Sequence, residues 1–177
     1  MDAATIRPAA PGDAEAIHTL IRELAEYERA LHEVEATQAD LHALIFGGNT
    51  PSGTAAAHCH VIDAPGPTAD LATAPPRLAG FALWFLNAST WLGRHGIYLE
   101  DLYVRPQYRG HGFGLALMRA LAQICVERGY GRLEWWVLDW NQPSRDFYED
   151  LGARAMDEWV PYRLTGEALA HLGAPPL

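Results

Sequence analysis

Residues 98 to 114, Tyr98-Leu-Glu-Asp-Leu-Tyr-Val-Arg-Pro-Gln-Tyr-Arg-Gly-His-Gly-Phe-Gly114, restrict the possible folds of this chain more than any other stretch. Tyr98, Leu99, Leu102, Tyr103 and Val104 are aromatic, apolar or β-branched and read as a strand. Glu100 and Asp101 interrupt it, and Pro106 ends it. After the glycines, Leu115, Met118, Leu121, Ala122 and Cys125 recur with helical period. A strand, a cationic glycine-rich turn and a helix N-terminus in succession make an anion site. Unsatisfied N–H groups at the helix start and the helix dipole both favour a phosphate.

The kind of phosphate is constrained by spacing. No Gly-Lys-Ser/Thr follows the glycines, so nucleotide hydrolysis has no support. Gly114 comes one residue too early to complete the dinucleotide fingerprint G-x-G-x-x-G. What remains is Arg109-x-x-Gly112-x-Gly114, which resembles the pyrophosphate motif of the GNAT superfamily of acetyl-CoA-dependent N-acetyltransferases. Tyr98-Leu-Glu-Asp-Leu-Tyr-Val104, Tyr108-Arg-Gly-x-Gly-x-Gly114 and Asp139-Trp-Asn-Gln-Pro143 resemble its diamine branch, which acts on spermidine, spermine or thialysine. The resemblance runs from Ile6-Arg-Pro8 to about Ala170. It implies an α/β (α+β) fold over residues 1–177 as a single domain. A mixed central sheet of about six to seven strands would be flanked by helices, with splayed parallel strands forming an acetyl-CoA cleft. It also implies a homodimer.

At 177 residues one domain can bury a core without disulfide or metal staples. The balance is acidic, 13 Lys plus Arg against 22 Asp plus Glu, which argues against a nucleic-acid binder. A negative field suits a cationic partner, although it also serves solubility. Cys59 and Cys125 are too few and too far apart for a disulfide framework. Cys125 falls on the apolar face of its helix. The N-terminus lacks a basic segment followed by an apolar one, and no apolar run is long enough to span a bilayer. A cytoplasmic protein without a membrane partner is the expectation.

Taken in order, Thr5-Ile-Arg7 starts a short strand. Asp13 is placed to cap a helix over 14–31 whose apolar stripe is Ile17, Leu20, Ile21, Leu24 and Leu31. Glu23, Glu26, Glu28 and Glu33 make its far side acidic, a solvated face for most of them, whereas the resemblance implies that the Tyr27-Glu28 pair contacts the amine. Thr37-x-x-Asp40 reads as a capping box, with Gly47-Gly48 ending the short helix it opens. His58-Cys-His-Val-Ile62 reads as a strand that sends Cys59 to the opposite face from both histidines, against a metal cluster. Residues 64–77, rich in Pro, Ala and Thr, read as an enlarged, mobile hairpin loop. Leu78 to Leu86 is apolar enough to be a central strand, followed by a loop from Asn87 to Gly96. Arg132 to Leu138 reads as a buried strand, parallel to the organising one because a helix crosses between them. Asn141 caps the next helix, Gly152 stops it, and two short strands within 153–165 precede a small C-terminal helix. Trp135, Trp136 and Trp159 would be either core or interface.

The chemistry implied by the resemblance is acetyl transfer from acetyl-CoA to the primary amine of a small cationic substrate, without a metal. An alkylamine with a pKa near ~10 must lose a proton before it attacks. Glu100 is the expected general base, since a mid-strand charge is costly unless it faces a cavity. Asp101, on the opposite face from Glu100 by strict alternation, would attract or orient the substrate from elsewhere, as across a subunit interface. Tyr148 matches the family's acid toward the departing thiolate. Leu102, Tyr103 and Val104 would pair with the pantetheine arm. Main-chain N–H groups of Arg109, Gly110, His111, Gly112, Phe113 and Gly114 would hold the pyrophosphate. Asn141, Ser144 and Tyr148 complete the cofactor side. Tyr27, Glu28, Trp91, Glu100 and Asp101 are the expected amine contacts. Around Ser89-Thr-Trp91 the chain lacks the acidic residue of the spermidine-acting members, which shifts the expectation toward a shorter amine or a thialysine-like amino acid. A protein lysine or N-terminal acetyltransferase of the same fold, or a non-catalytic acyl-CoA-binding module, are the rival readings.

Overall fold

A computed structural model describes residues 5–47, 53–64 and 78–175. The chain divides into two compact units, Met1–Trp136 and Val137–Leu177. In the first, β1 (Ile6–Pro8), β2 (His58–Asp63), β3 (Leu78–Ser89), β4 (Arg94–Val104) and β5 (Leu133–Glu134) lie side by side in chain order. The first four are antiparallel neighbours, whereas β5 runs parallel to β4. The apolar β3 is the middle strand of this open mixed sheet. Five strands therefore stand among the described residues, not six or seven.

One face of the sheet packs on α1 (Ala14–Tyr27) and α2 (Gln38–Phe46). Ile17, Leu20 and Ile45 meet Val61, Phe81 and Leu83 there. The other face carries α3 (Phe113–Arg128), which buries Leu117, Met118, Leu121 and Cys125. The buried stripe thus runs through Leu117, with Ala122 exposed. Cys59 lies in the α1-side core, while both neighbouring histidines approach Trp84. Trp84 Nε1 donates to His60 Nδ1 at 3.1 Å, and the His58 ring lies 4.4 Å from the indole. No helix among the described residues is long and apolar enough to cross a membrane.

Several elements depart from the sequence-based expectation. Asp13 stands at the N-cap position of α1, but its side chain makes no capping hydrogen bond to that helix. Pro11–Asp13 forms a 3-10 turn, and the buried carboxylate takes hydrogen bonds from Arg7 at 2.6 and 3.0 Å and from the Ala10 N–H at 2.7 Å. Burial pushes the Asp13 carboxyl up, but these bonds outweigh it and hold the group below its usual range. Helix α1 ends at Tyr27, four residues before Leu31. The chain turns there with Arg29 in the left-handed region (φ 64°), and Ala30 N–H bonds the Ala25 carbonyl at 2.8 Å. Leu31 falls in a separate 3-10 turn. The Thr37–Asp40 capping box forms as expected, its two main-chain bonds measuring 2.9 and 3.2 Å.

The region from Asn87 to Gly96 is not a loop. Asn87, Ala88 and Ser89 continue β3 and pair with Gly96, His95 and Arg94. The tight turn at the tip closes through Leu92 N–H to Ser89 Oγ at 3.2 Å. Only Leu133–Glu134 of the expected seven-residue strand pairs with β4. Beyond it the Trp136 ring meets Tyr98 edge-on at 5.9 Å and is 61% exposed. An apolar run alone does not reveal where the ladder stops. In the second unit, α4 (Gln142–Asp150) is capped by Asn141 Oδ1, which accepts from Ser144 N–H at 3.4 Å. Gly152 (φ 85°) follows it, and α5 (Gly166–Gly173) is the small C-terminal helix. The two strands expected within 153–165 are absent. Trp159 N–H instead closes a turn on the Met156 carbonyl at 3.0 Å. The loop expected over 64–77 lies outside the described residues from 65 onward.

Gly80 fixes the distance between β3 and the end of β4. A Cβ there would collide with the Tyr103 carbonyl oxygen and come within 3.1 Å of Val104 Cα. Gly80→Ala is expected to destabilise the protein by about 2 kcal/mol, read as a lowered denaturant midpoint at unchanged slope.

Candidate active site

The site grows from an irregularity in β4. Trp84 faces Leu99 and Leu83 faces Asp101, so Glu100 is an extra residue opposite no partner on β3. Such a bulge breaks the alternation of faces. Counted from Tyr98, strict alternation sends Asp101 and Tyr103 to the α3 side. The bulge instead sets them opposite Leu83 and Phe81, on the α1 side. This corrects the expectation for Asp101, which is turned into the face that also receives the end of α1. Glu100 itself is exposed.

Three carboxylates meet electrostatically there. Burial, followed by the charges of Glu100 and Glu28, pushes the Asp101 carboxyl up to about 7. Burial also raises Glu28 above the ordinary range. Among the described residues none of the three is ion-paired. The nearby structural carboxylates are neutralised instead. Arg7 bridges Asp13 and Asp63, and Arg105 grips Glu23 through contacts of 2.8 to 3.1 Å. Arg105 also donates to the Leu78 carbonyl at 3.0 Å. Glu23 is therefore the anchor of α1 on the exit of β4, not part of a solvated face. That pairing joins residues 82 apart and leaves no local signal in the sequence.

Strand β5 pairs with β4 only at Ile97 and Tyr98, so β4 continues to Val104 without it. Leu102, Tyr103 and Val104 lie on this free stretch. The chain then enters the glycine loop. Tyr108 and Arg109 N–H groups already bond the Arg105 and Pro106 carbonyls at 2.8 and 3.2 Å. The Arg109 amide is thus committed, which removes it from the expected phosphate donors. Gly110 and Gly112 adopt positive φ (77° and 79°), and the His111 ring approaches the Arg109 carbonyl at 2.9 Å. A Cβ on either glycine would meet open space, so the backbone conformation itself calls for glycine. Phe113, Gly114 and Leu115 form the first turn of α3, whose amides have no carbonyl four residues back within the helix.

The Arg109 side chain turns away from its own loop. Its Nε donates to the Val104 carbonyl at 2.9 Å, and its guanidinium carbon lies 5.1 and 5.6 Å from the Tyr27 and Tyr103 ring centroids. Tyr27 is thereby linked to Tyr103 of β4, and Glu28 follows it in the chain. Trp91 is 89% exposed at the tip of the β3–β4 hairpin, about 20 Å along the strand from the Leu83–Asp101 pair. Asn141, Ser144 and Tyr148 belong to the second unit. Asn141 is buried, Tyr148 is half-buried on α4, and its ring lies 5.3 Å from that of Phe147.

Residues 21–153 match the family model described as acetyltransferase (GNAT) family. The chain is 39% identical over 173 residues to a thialysine N-epsilon-acetyltransferase of Bos taurus, covering 94% of this chain and 95% of that protein. It is 34% identical to an L-ornithine N5-acetyltransferase of Arabidopsis thaliana, with 93% and 85% covered. Among solved structures, an integron cassette protein from V. cholerae shares the fold with a TM-score of 0.73 at 22% identity, covering 97% of this chain and 98% of that one. The open mixed sheet, the glycine loop at the end of β4 and these matches agree: the chain belongs to the GNAT family of acetyltransferases.

Proposed function

We propose that this N-acetyltransferase moves the acetyl group of acetyl-CoA to a primary amine of a small cationic substrate, with a thialysine-like amino acid or short diamine favoured over a long polyamine. The observation that carries the reading is the electrostatic coupling of Glu28, Glu100 and Asp101, three carboxylates without ion pairs among the described residues, beside a strand that runs straight into the glycine loop at the start of α3. An amine cation is attracted to the first and a diphosphate to the second. The free stretch Leu102 to Val104 offers main-chain groups to the pantetheine arm. The amides of Gly110, His111, Gly112, Phe113 and Gly114 are the phosphate donors. Similarity to thialysine and ornithine N-acetyltransferases, and the absence of acidic residues in Ser89-Thr-Trp91, support the shorter acceptor.

In this reading the amine arrives as a cation between Glu28 and Asp101 and loses a proton to Glu100, directly or through water, before attacking the thioester carbonyl. Exposure of Glu100 on the bulge gives that proton a route to solvent. The acid toward the departing thiolate is Tyr148, on the strength of its motif, Asn141-Gln-Pro-Ser-Arg-Asp-Phe-Tyr148. Asn141 and Ser144 serve the cofactor on the same ground. Homodimerisation follows the family, and the exposed indoles of Trp136 and Trp159 are apolar surface available to it.

Tyr148→Phe is expected to lower kcat about a hundredfold while leaving the Kd for CoA within about threefold. An unchanged kcat removes the acid assignment. A second test uses the Asp101 carboxyl, raised to about 7. At pH 7 that group is about half protonated, and a bound cation lowers its pKa, so amine binding must release protons. Calorimetry of thialysine binding in buffers of different ionisation enthalpy should detect this release at pH 7 and lose it above pH 8.5. In Asp101→Asn the release should vanish.

A further inference from the structure

We propose that the Arg109 side chain is a positioning residue for the amine half of the site, a strut that fixes Tyr27 and Glu28 against β4 from within the phosphate loop. The inference rests on the acetyl-transfer reading above for what the two halves bind. Its geometry stands apart from that reading.

Arg109 Nε is spent on the Val104 carbonyl, at the last residue of β4. The guanidinium then lies over two rings from different elements, Tyr27 at the end of α1 and Tyr103 on β4. Among the described residues it has no carboxylate partner, so these contacts are what direct it. A planar, delocalised cation can cover two aromatic faces while its Nε–H donates elsewhere; an ammonium has neither the plane nor a donor at that point. Tyr103 is buried and anchored, so the contact constrains Tyr27 rather than the reverse.

The end of α1 has reason to need such support. The helix closes by placing Arg29, which has a Cβ, in the left-handed region at φ 64°. Glu28 lies between Tyr27 and this unfavourable residue, and it is one of the two charges that raise Asp101. Displacing Tyr27 therefore moves a wall and a charge of the amine pocket together. The loop whose amides face the phosphate and the turn that carries Glu28 are linked through one side chain.

The test compares Arg109→Lys, which keeps the charge, with Arg109→Met, which keeps only the apolar stem. Arg109 is exposed, so both variants are expected to fold. In ligand-free protein, amide exchange over residues 24–30 should accelerate at least about fivefold in both variants, with α3 unaffected. With thialysine and ornithine as probes, KM should rise about fivefold or more in Arg109→Lys, while the Kd for CoA changes less than about threefold. Tyr27→Leu combined with Arg109→Lys should raise KM no further than the larger single change. Unchanged protection over 24–30 overturns the proposal, as does a weakened CoA affinity with an unaltered amine KM. Should the parent protein neither bind CoA nor acetylate an amine, the acetyl-transfer reading fails, and the exchange measurement still decides the strut.

Discussion

Strand β4 carries one residue more than β3 supplies partners for, and the surplus residue is Glu100. A bulge costs ladder hydrogen bonds and bends the strand. Here it also resets which residues look toward α1. With it, Asp101 and Tyr103 share a face with Leu83 and Phe81, and Tyr103 is available to both Glu23 and Arg109. Without it, strict alternation would turn Asp101 toward α3 and Glu100 toward α1. The facing of both Asp101 and Tyr103 toward α1 follows from that single insertion.

The charges around this strand are sorted by what they must do. Arg7 with Asp13 and Asp63, and Arg105 with Glu23, are partly buried and hydrogen-bonded, so removing one partner would strand the other. These pairs hold β1, α1 and the end of β4 in register. Among the described residues Glu28, Glu100 and Asp101 have no ion-pair partner, and burial makes that arrangement costly for Asp101. A protein of net charge −9 has no shortage of acidic groups on its surface. Carboxylates that raise one another's proton affinity are a different matter, because their repulsion is relieved by protonation or by a bound cation.

Much of this was legible in the sequence. The capping box at Thr37, the Asn141 cap, the central β3 and the strand–loop–helix unit are local: each depends on residues within a few positions of one another, where backbone conformation and hydrogen bonding are decided. The errors fall where distance matters. Asp13 had the right residue type for a cap, but Arg7 captured its carboxylate. The apolar run from Arg132 to Leu138 looked like a strand throughout, because hydrophobicity does not say where a partner strand departs. Asn87 to Ser89 looked like a loop because polar residues at the end of a hairpin can pair as well as apolar ones.

The chain on its own determined its family: a glycine-rich turn between a strand and a helix, a Glu-Asp pair within that strand, and three motifs in order. Those depend on residue type and spacing, which a linear sequence carries in full. Tertiary structure alone decided how they are aimed. The bulge that turns Asp101, the pairing of Arg105 with Glu23 and the reach of Arg109 to Tyr27 each join residues brought together only by folding. A strand's register and the partner of a charge are set by what lies across the gap, and no single stretch of chain contains that information.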